Sequence, residues 1–253
     1  MNLSRCLAAA ALLALAAHLP ARAEDKAKTG FVDKVYKNAD GTESPYVVFV
    51  PKNYDGTKEV PIILFLHGAG ETKNLKAPKD AKERKKPVEV GIGPAIKKRE
   101  KDFPFIVVIP RAEGFGWQAE GANAKRALAM FEATTKEYKT DAKRQYLTGL
   151  SMGGMGTWSI ATADPTRFAA IVPICGRGDP KQAEKLKDLP CWAFHGDADT
   201  AVKVEGSRDM IDAIKKAGGN PKYTEYPKVG HNSWDAAYGT DELYKWLLEQ
   251  KKK

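Results

Sequence analysis

The sequence predicts an α/β fold: a mostly parallel sheet of about eight strands, with an antiparallel edge and helices on both faces. Three observations carry this reading. Continuously apolar runs such as Pro61 to Leu66 (PIILFL) and Phe105 to Ile109 read as strands buried on both faces. Segments with helical spacing alternate with those runs, as βαβ units require. Finally, Gly149-Leu150-Ser151-Met152-Gly153 matches the G-x-S-x-G turn that passes from a strand into a helix.

Taken in order, Phe31 to Tyr36 and Tyr46 to Val50 form a hairpin or meander around the turn Asn38-Ala39-Asp40-Gly41, with Asp55-Gly56 marking a second turn. The strand Pro61 to Leu66 ends in His67-Gly68-Ala69-Gly70. A lysine-rich loop follows, then a short helix from about Pro94 to Lys101. The strand Phe105 to Ile109 ends at Pro110-Arg111, and a Gly-rich loop with Phe115 and Trp117 leads into a helix from about Asn123 to Tyr138. Its Ala127, Met130, Phe131 and Thr134 recur at helical spacing. The elbow strand holds Gln145 to Thr148, and its helix runs from Met155 to Ala163, where Asp164-Pro165 stops it. Beyond it come a strand from Phe168 to Ile174, a helix around Lys181 to Lys187, a strand from Cys191 to Phe194 and a helix from Glu205 to Ala217. A strand from Tyr223 to Tyr226 and a helix from Asp241 to Gln250 complete the chain.

The first 23 residues stand apart from the fold. Arg5 gives a positive start, Leu7 to Ala17 is apolar, and Ala21-Arg22-Ala23 is an A-x-A cleavage site, the pattern of a signal peptide. The apolar run is too short to span a bilayer, so the expectation is a secreted or periplasmic protein without stable membrane insertion. Residues 24–253 then form one α/β domain. Losing Arg5 and Arg22 takes the formal net charge from +9 to +7. Much of the remaining excess lies between Glu71 and Asp102. That stretch reads as a solvated face or as a docking surface for anionic polymer. No aromatic residue interleaves it before Phe103, which argues against nucleic acid. Cys175 and Cys191 fall at opposite ends of neighbouring parallel strands, about 15 Å apart at about 3.3 Å per residue. That exceeds the reach of a disulfide, so both are read as core thiols.

Functional groups in an open α/β sheet gather beyond the C-terminal ends of the strands. Ser151 on its elbow is the candidate nucleophile. His18 leaves with the signal peptide, while His67 and His195 each end a strand before Gly and order a loop. His231 is the remaining candidate base, and it follows every candidate acid, as the order Ser, Asp or Glu, His requires. Asp179, Asp197 and Asp199 compete for the acid. Asp179 lies one strand early in a Gly-Asp-Pro turn, Asp197 could cap its own turn, and loop position favours Asp199. The backbone N–H of Met152 is one oxyanion donor, and the loop after Leu66 supplies the second, from Ala69 with Gly70 as the alternative. Trp117 and Trp234, on loops at the same edge, are read as lining the acyl or alcohol pocket. No H-E-x-x-H, C-x-x-C, Walker or dinucleotide fingerprint is present, so neither metal nor cofactor is expected.

Five blocks carry a family resemblance: LHGAGE (Leu66 to Glu71), YLTGLSMGGMGTW (Tyr146 to Trp158), RFAAIVPICG (Arg167 to Gly176), WAFHGDAD (Trp192 to Asp199) and GHNSWDAAY (Gly230 to Tyr238). Together they resemble the single-domain α/β-hydrolases of the predicted peptidase and phospholipase/carboxylesterase-like esterase group. That group is similar to the polyhydroxybutyrate depolymerase and feruloyl esterase branches. The resemblance implies an α/β-hydrolase fold and a serine carboxylesterase with Ser151 as nucleophile, Asp199 as acid and His231 as base. It also supports Ala69 and Met152 as oxyanion donors. Arg111 stands where many relatives have Gln and places a cation near the pocket. The implied substrate is a small-molecule or polysaccharide-linked ester with a short-chain or aromatic acyl group. The rivals are a secreted serine peptidase of the same fold and a non-catalytic polysaccharide-binding protein on a hydrolase scaffold.

Overall fold

The computed structural model describes residues 28–73 and 86–253, and among them eight strands form one sheet. The strands β1 (Gly30–Lys37) and β2 (Glu43–Val50) pair antiparallel, with Gly30 opposite Val50 and Lys37 opposite Glu43. They are followed by β3 (Val60–Leu66), β4 (Ile106–Pro110), β5 (Thr140–Leu150), β6 (Ala170–Ile174), β7 (Trp192–Gly196) and β8 (Lys222–Tyr226). Their spatial order is β1-β2-β4-β3-β5-β6-β7-β8. β2 runs antiparallel to β4 as well, and every pair from β4 through β8 is parallel. This is the expected mostly parallel sheet with an antiparallel edge.

The sequence of β3 shows why the sheet sits in the middle. Ile62, Leu64 and Leu66 pack into one apolar cluster, whereas Ile63 and Phe65 pack into another on the opposite face. Side chains alternate across a strand, so a continuous apolar run is stable only when both faces are covered. The cover comes from α1 (Ile92–Lys98), α2 (Ala122–Glu137), α3 (Met152–Ala163), α4 (Glu205–Lys216), α5 (Trp234–Gly239) and α6 (Asp241–Glu249). α2, α3 and α4 send residues such as Phe131, Trp158 and Met210 into the first cluster. α1, α5 and α6 send Ile96, Tyr238 and Leu247 into the second.

Several boundaries differ from the sequence reading. The elbow strand reaches back to Thr140, because polar Asp141 to Arg144 extend it beyond the buried part of the sheet. The helix after Ser151 starts at Met152 rather than Met155, and glycines in its first turn do not delay it. The helix expected around Pro94 to Lys101 is shifted to Ile92–Lys98, with Pro94 in its first turn, where no intrahelical N–H is needed. The segment around Lys181 to Lys187 is a 3₁₀ helix, Pro180–Leu186. Short α5 and the 3₁₀ turn Ala69–Glu71 had no sequence signal strong enough to separate them from loop.

Cys175 and Cys191 are free and buried. Cys191 bridges to Ile171 near the start of β6, while Cys175 lies just past its end. The expected signal peptide, residues 1–23, and most of the lysine-rich insert, residues 74–85, lie outside the described residues. Among the described residues no helix is long and apolar enough to cross a membrane.

Candidate active site

The turn from β5 to α3 presents Ser151 with φ 53° and ψ −115°, a left-handed conformation that a non-glycine residue adopts only under constraint. Such strain costs about 1–3 kcal/mol and persists only where the surroundings enforce it. Here Ser151 N–H donates to Ile174 O at 2.9 Å, tying the elbow to β6. The two motif glycines are required by backbone contact. A Cβ on Gly153 would sit 1.9 Å from Leu66 O, and one on Gly149 would sit 2.4 Å from Gly153 O. Main-chain atoms cannot swing aside, so Gly153→Ala is expected to destabilise the fold by about 2–3 kcal/mol, as overpacking does. The readout is a lower urea midpoint; an unchanged midpoint would show that the elbow has room.

Three loops bring the other groups to Ser151. His231, on the loop between β8 and α5, places Nε2 2.8 Å from Ser151 Oγ. Its Nδ1 lies 2.7 Å from Asp199 Oδ2, on the loop after β7. Asp199 accepts three further hydrogen bonds: Oδ1 from the amides of Ala201 (2.8 Å) and Val202 (2.9 Å), and Oδ2 from His195 Nε2 (3.2 Å). Burial acts to raise the Asp199 carboxyl. The bonds from His231 and the Val202 and Ala201 amides outweigh it and hold the group below its usual range. Asp199 therefore stays ionised against the imidazole. Asp197 has a different task, since its Oδ1 accepts from the Lys228 amide at 2.6 Å and closes a turn. Asp179 likewise accepts from the Lys181 amide at the start of a 3₁₀ helix.

The loop after β3 lies against the elbow. A Cβ on Gly68 would be 3.7 Å from Ser151 Cβ, so the loop that carries Ala69 passes beside the elbow. Buried His67 braces this loop. Its Nδ1 donates to Gly68 O at 2.6 Å, and its Nε2 accepts from the Ala112 amide at 2.9 Å. Burial pushes His67 down to about 4, so it works as a neutral strut. Arg111 Nε donates to Glu71 O at 2.9 Å, so this half-buried cation braces the same loop through its backbone.

Of the two candidate pocket tryptophans, Trp234 stands edge-on to the His231 ring with centroids 5.4 Å apart. Trp117 does not line a pocket. It is 1 % exposed, its Nε1 donates to His67 O at 3.0 Å, and a Cβ on Gly156 would meet its side chain at 2.3 Å. The indole is turned inward because α3 offers it a glycine notch. Position on a catalytic-edge loop did not fix its direction.

Sequence reasoning left His195 as a residue that merely orders its loop. The signal was its place four residues before Asp199 in HGDAD. Cys175, Asp199 and His231 bring three potential metal-ligand atoms within 4.8 Å of one another, the one such group among the described residues. Its carboxylate and imidazole already bond each other, and burial pushes the Cys175 thiol up to about 12. At neutral pH this sulfur is a protonated core atom, and the group suits proton transfer better than metal binding.

The sheet gives the chain the α/β-hydrolase fold. More particularly, it belongs to the dienelactone hydrolase family, whose model matches residues 42–237. It is similar to the bifunctional acetylxylan esterase/xylanase XynS20E of Neocallimastix patriciarum, at 28% identity over 212 residues covering 79% of this chain and 29% of that protein. It is also similar to the probable feruloyl esterase C of Aspergillus terreus, at 23% identity over 224 residues covering 86% of this chain and 77% of that protein. Among solved structures, a thermostable esterase superposes with a TM-score of 0.75 at 31% identity, covering 87% of this chain and 63% of that one. The chain thus spans less than a third of the length of the first relative and under two thirds of the thermostable esterase.

Proposed function

We propose that this chain is an exported carboxylic-ester hydrolase that works through an acyl-serine intermediate, with Ser151 as nucleophile, His231 as base and Asp199 as acid. The observation that carries the reading is the continuous chain Ser151 Oγ, His231 Nε2, His231 Nδ1, Asp199 Oδ2, with links of 2.8 and 2.7 Å. As Ser151 Oγ attacks the acyl carbon, His231 Nε2 takes the hydroxyl proton and the carbonyl electron pair moves onto oxygen. Backbone N–H groups of Met152 and Ala69 stabilise that oxyanion. Collapse breaks the ester C–O bond, and the leaving alkoxide takes the proton from His231. Water then repeats the sequence on the acyl-serine and releases the acid. Ionised Asp199 holds His231 in the productive tautomer and stabilises the imidazolium.

The substrate class is a short-chain or aromatic acyl ester, including esters linked to polysaccharide. Relatives bearing the names acetylxylan esterase and feruloyl esterase support this class, as does Trp234 beside His231. The signal-peptide pattern of residues 1–23 supports export to an environment where such polymers occur. The test is a panel of p-nitrophenyl esters of increasing chain length, methyl ferulate, acetylated xylan and a peptide amide. Turnover of at least one ester, blocked when a fluorophosphonate labels Ser151, is expected. Turnover of the amide with no ester cleaved would overturn the ester reading.

A further inference from the structure

We infer that His195 is a positioning residue for the same reaction, a second imidazole on the acid that sets the pH at which His231 becomes an active base. The inference rests on the proposed roles of Ser151, His231 and Asp199 and extends them by one residue.

His195 is fully buried at the end of β7. Its Nε2 faces two acceptors, Asp199 Oδ2 at 3.2 Å and Val202 O at 2.9 Å, so this nitrogen carries hydrogen. Its Nδ1 lies 2.7 Å from Ser207 Oγ, which itself lies 3.3 Å from Gly176 O. Ser207 on α4 thus fixes the ring so that Nε2 points at the carboxylate. Oδ2 is shared between His195 and His231, while Oδ1 is taken by two amides. The single Nε2 hydrogen is thus shared between the Val202 carbonyl, which is nearer, and the carboxylate oxygen that His231 uses.

The consequence is electrostatic. Each donor on a carboxylate draws off negative charge and lowers its basicity. Removing the His195 donor leaves more charge for His231, which favours the imidazolium. The active form is neutral His231, so the acidic limb of the pH–rate profile should move to higher pH. Of the other titratable groups nearby, Glu225 also senses His195, but each has its own partner or burial. Cys175 follows β6 as a neutral thiol, and Asp197 is turned to the Lys228 amide. Glu225, in register with His195 on β8, is held by Arg208 at 2.9 and 2.6 Å and by Tyr223 at 2.7 Å.

Three variants test this. His195→Leu keeps volume and removes the donor. His195→Gln places an amide nitrogen at the same number of bonds from Cβ as Nε2 and can still donate to Asp199. His195→Asn reaches only as far as Nδ1, towards Ser207. In His195→Leu the limb of kcat/KM should move up by about one pH unit. The roughly ten-fold loss expected below the limb should largely recover above it. His195→Gln should stay close to wild type. If the leucine variant does not fold, the asparagine variant carries the test with the same expected shift. A limb that stays in place in whichever of these two folds, or a loss in the glutamine variant as large as in it, would overturn the inference. The proposed function fails separately, through a Ser151→Ala protein that remains active.

Discussion

Ser151→Ala should lower kcat/KM for any ester the protein cleaves by roughly 10⁴-fold or more, with the fold unchanged. The size follows from the chemistry, because no other hydroxyl stands 2.8 Å from His231 Nε2 on a strained elbow among the described residues. What remains should be the contribution of the oxyanion donors and of binding alone. The fold should survive because alanine keeps the Cβ and the main-chain bond from residue 151 to Ile174 O, and Oγ is bonded to His231 at the surface of the site. The elbow conformation is set by Gly149, Gly153 and the backbone of Leu66, none of which the change touches. Turnover and fluorophosphonate labelling should vanish together while the thermal midpoint stays near wild type. Retention of more than a few per cent of wild-type turnover would remove Ser151 from the role.

How far the site could be read from sequence depended on whether each feature is local. The elbow is local: five residues fix a backbone shape, and the clashes of added Cβ atoms at Gly149 and Gly153 show why those positions demand glycine. The order of Ser151, Asp199 and His231 is a property of strand succession, so it too could be read along the chain. The double-faced burial of β3 was visible as an unbroken apolar run. Direction was not visible. Trp117 and Trp234 both read as loop residues at one edge of the sheet, yet one fills a notch beside Gly156 and the other opens α5 against His231. His195 and His67 carry the same signature, a histidine before glycine at a strand end. Only the ring orientations show that one bonds Asp199 and the other braces the loop of Ala69. Short elements such as α5 fell below the length at which periodicity can be read.

Asp199→Asn should reduce kcat by roughly 10⁴-fold, the size expected when a triad histidine is held in the wrong tautomer, whereas Asp197→Asn should change it by no more than a few-fold. The argument lies in how the two carboxylates are bonded. Oδ1 of Asp199 accepts two main-chain amides, from Ala201 and Val202, which cannot reverse polarity. An asparagine there must turn its carbonyl oxygen to them, and its NH₂ then occupies the place of Oδ2. That place faces Nδ1 of His231 and Nε2 of His195, both donors to the native carboxylate. To avoid a donor–donor contact His231 must present a lone pair at Nδ1, which puts its hydrogen on Nε2, the nitrogen 2.8 Å from Ser151 Oγ. The imidazole can then no longer accept the serine proton. At Asp197 the one bond to preserve is that from the Lys228 amide, and an asparagine oxygen accepts it equally well. Steady-state kcat of the two variants, with matched thermal midpoints to show that both are folded, decides the assignment. Equal losses, or the larger loss at Asp197, would move the acid to that residue.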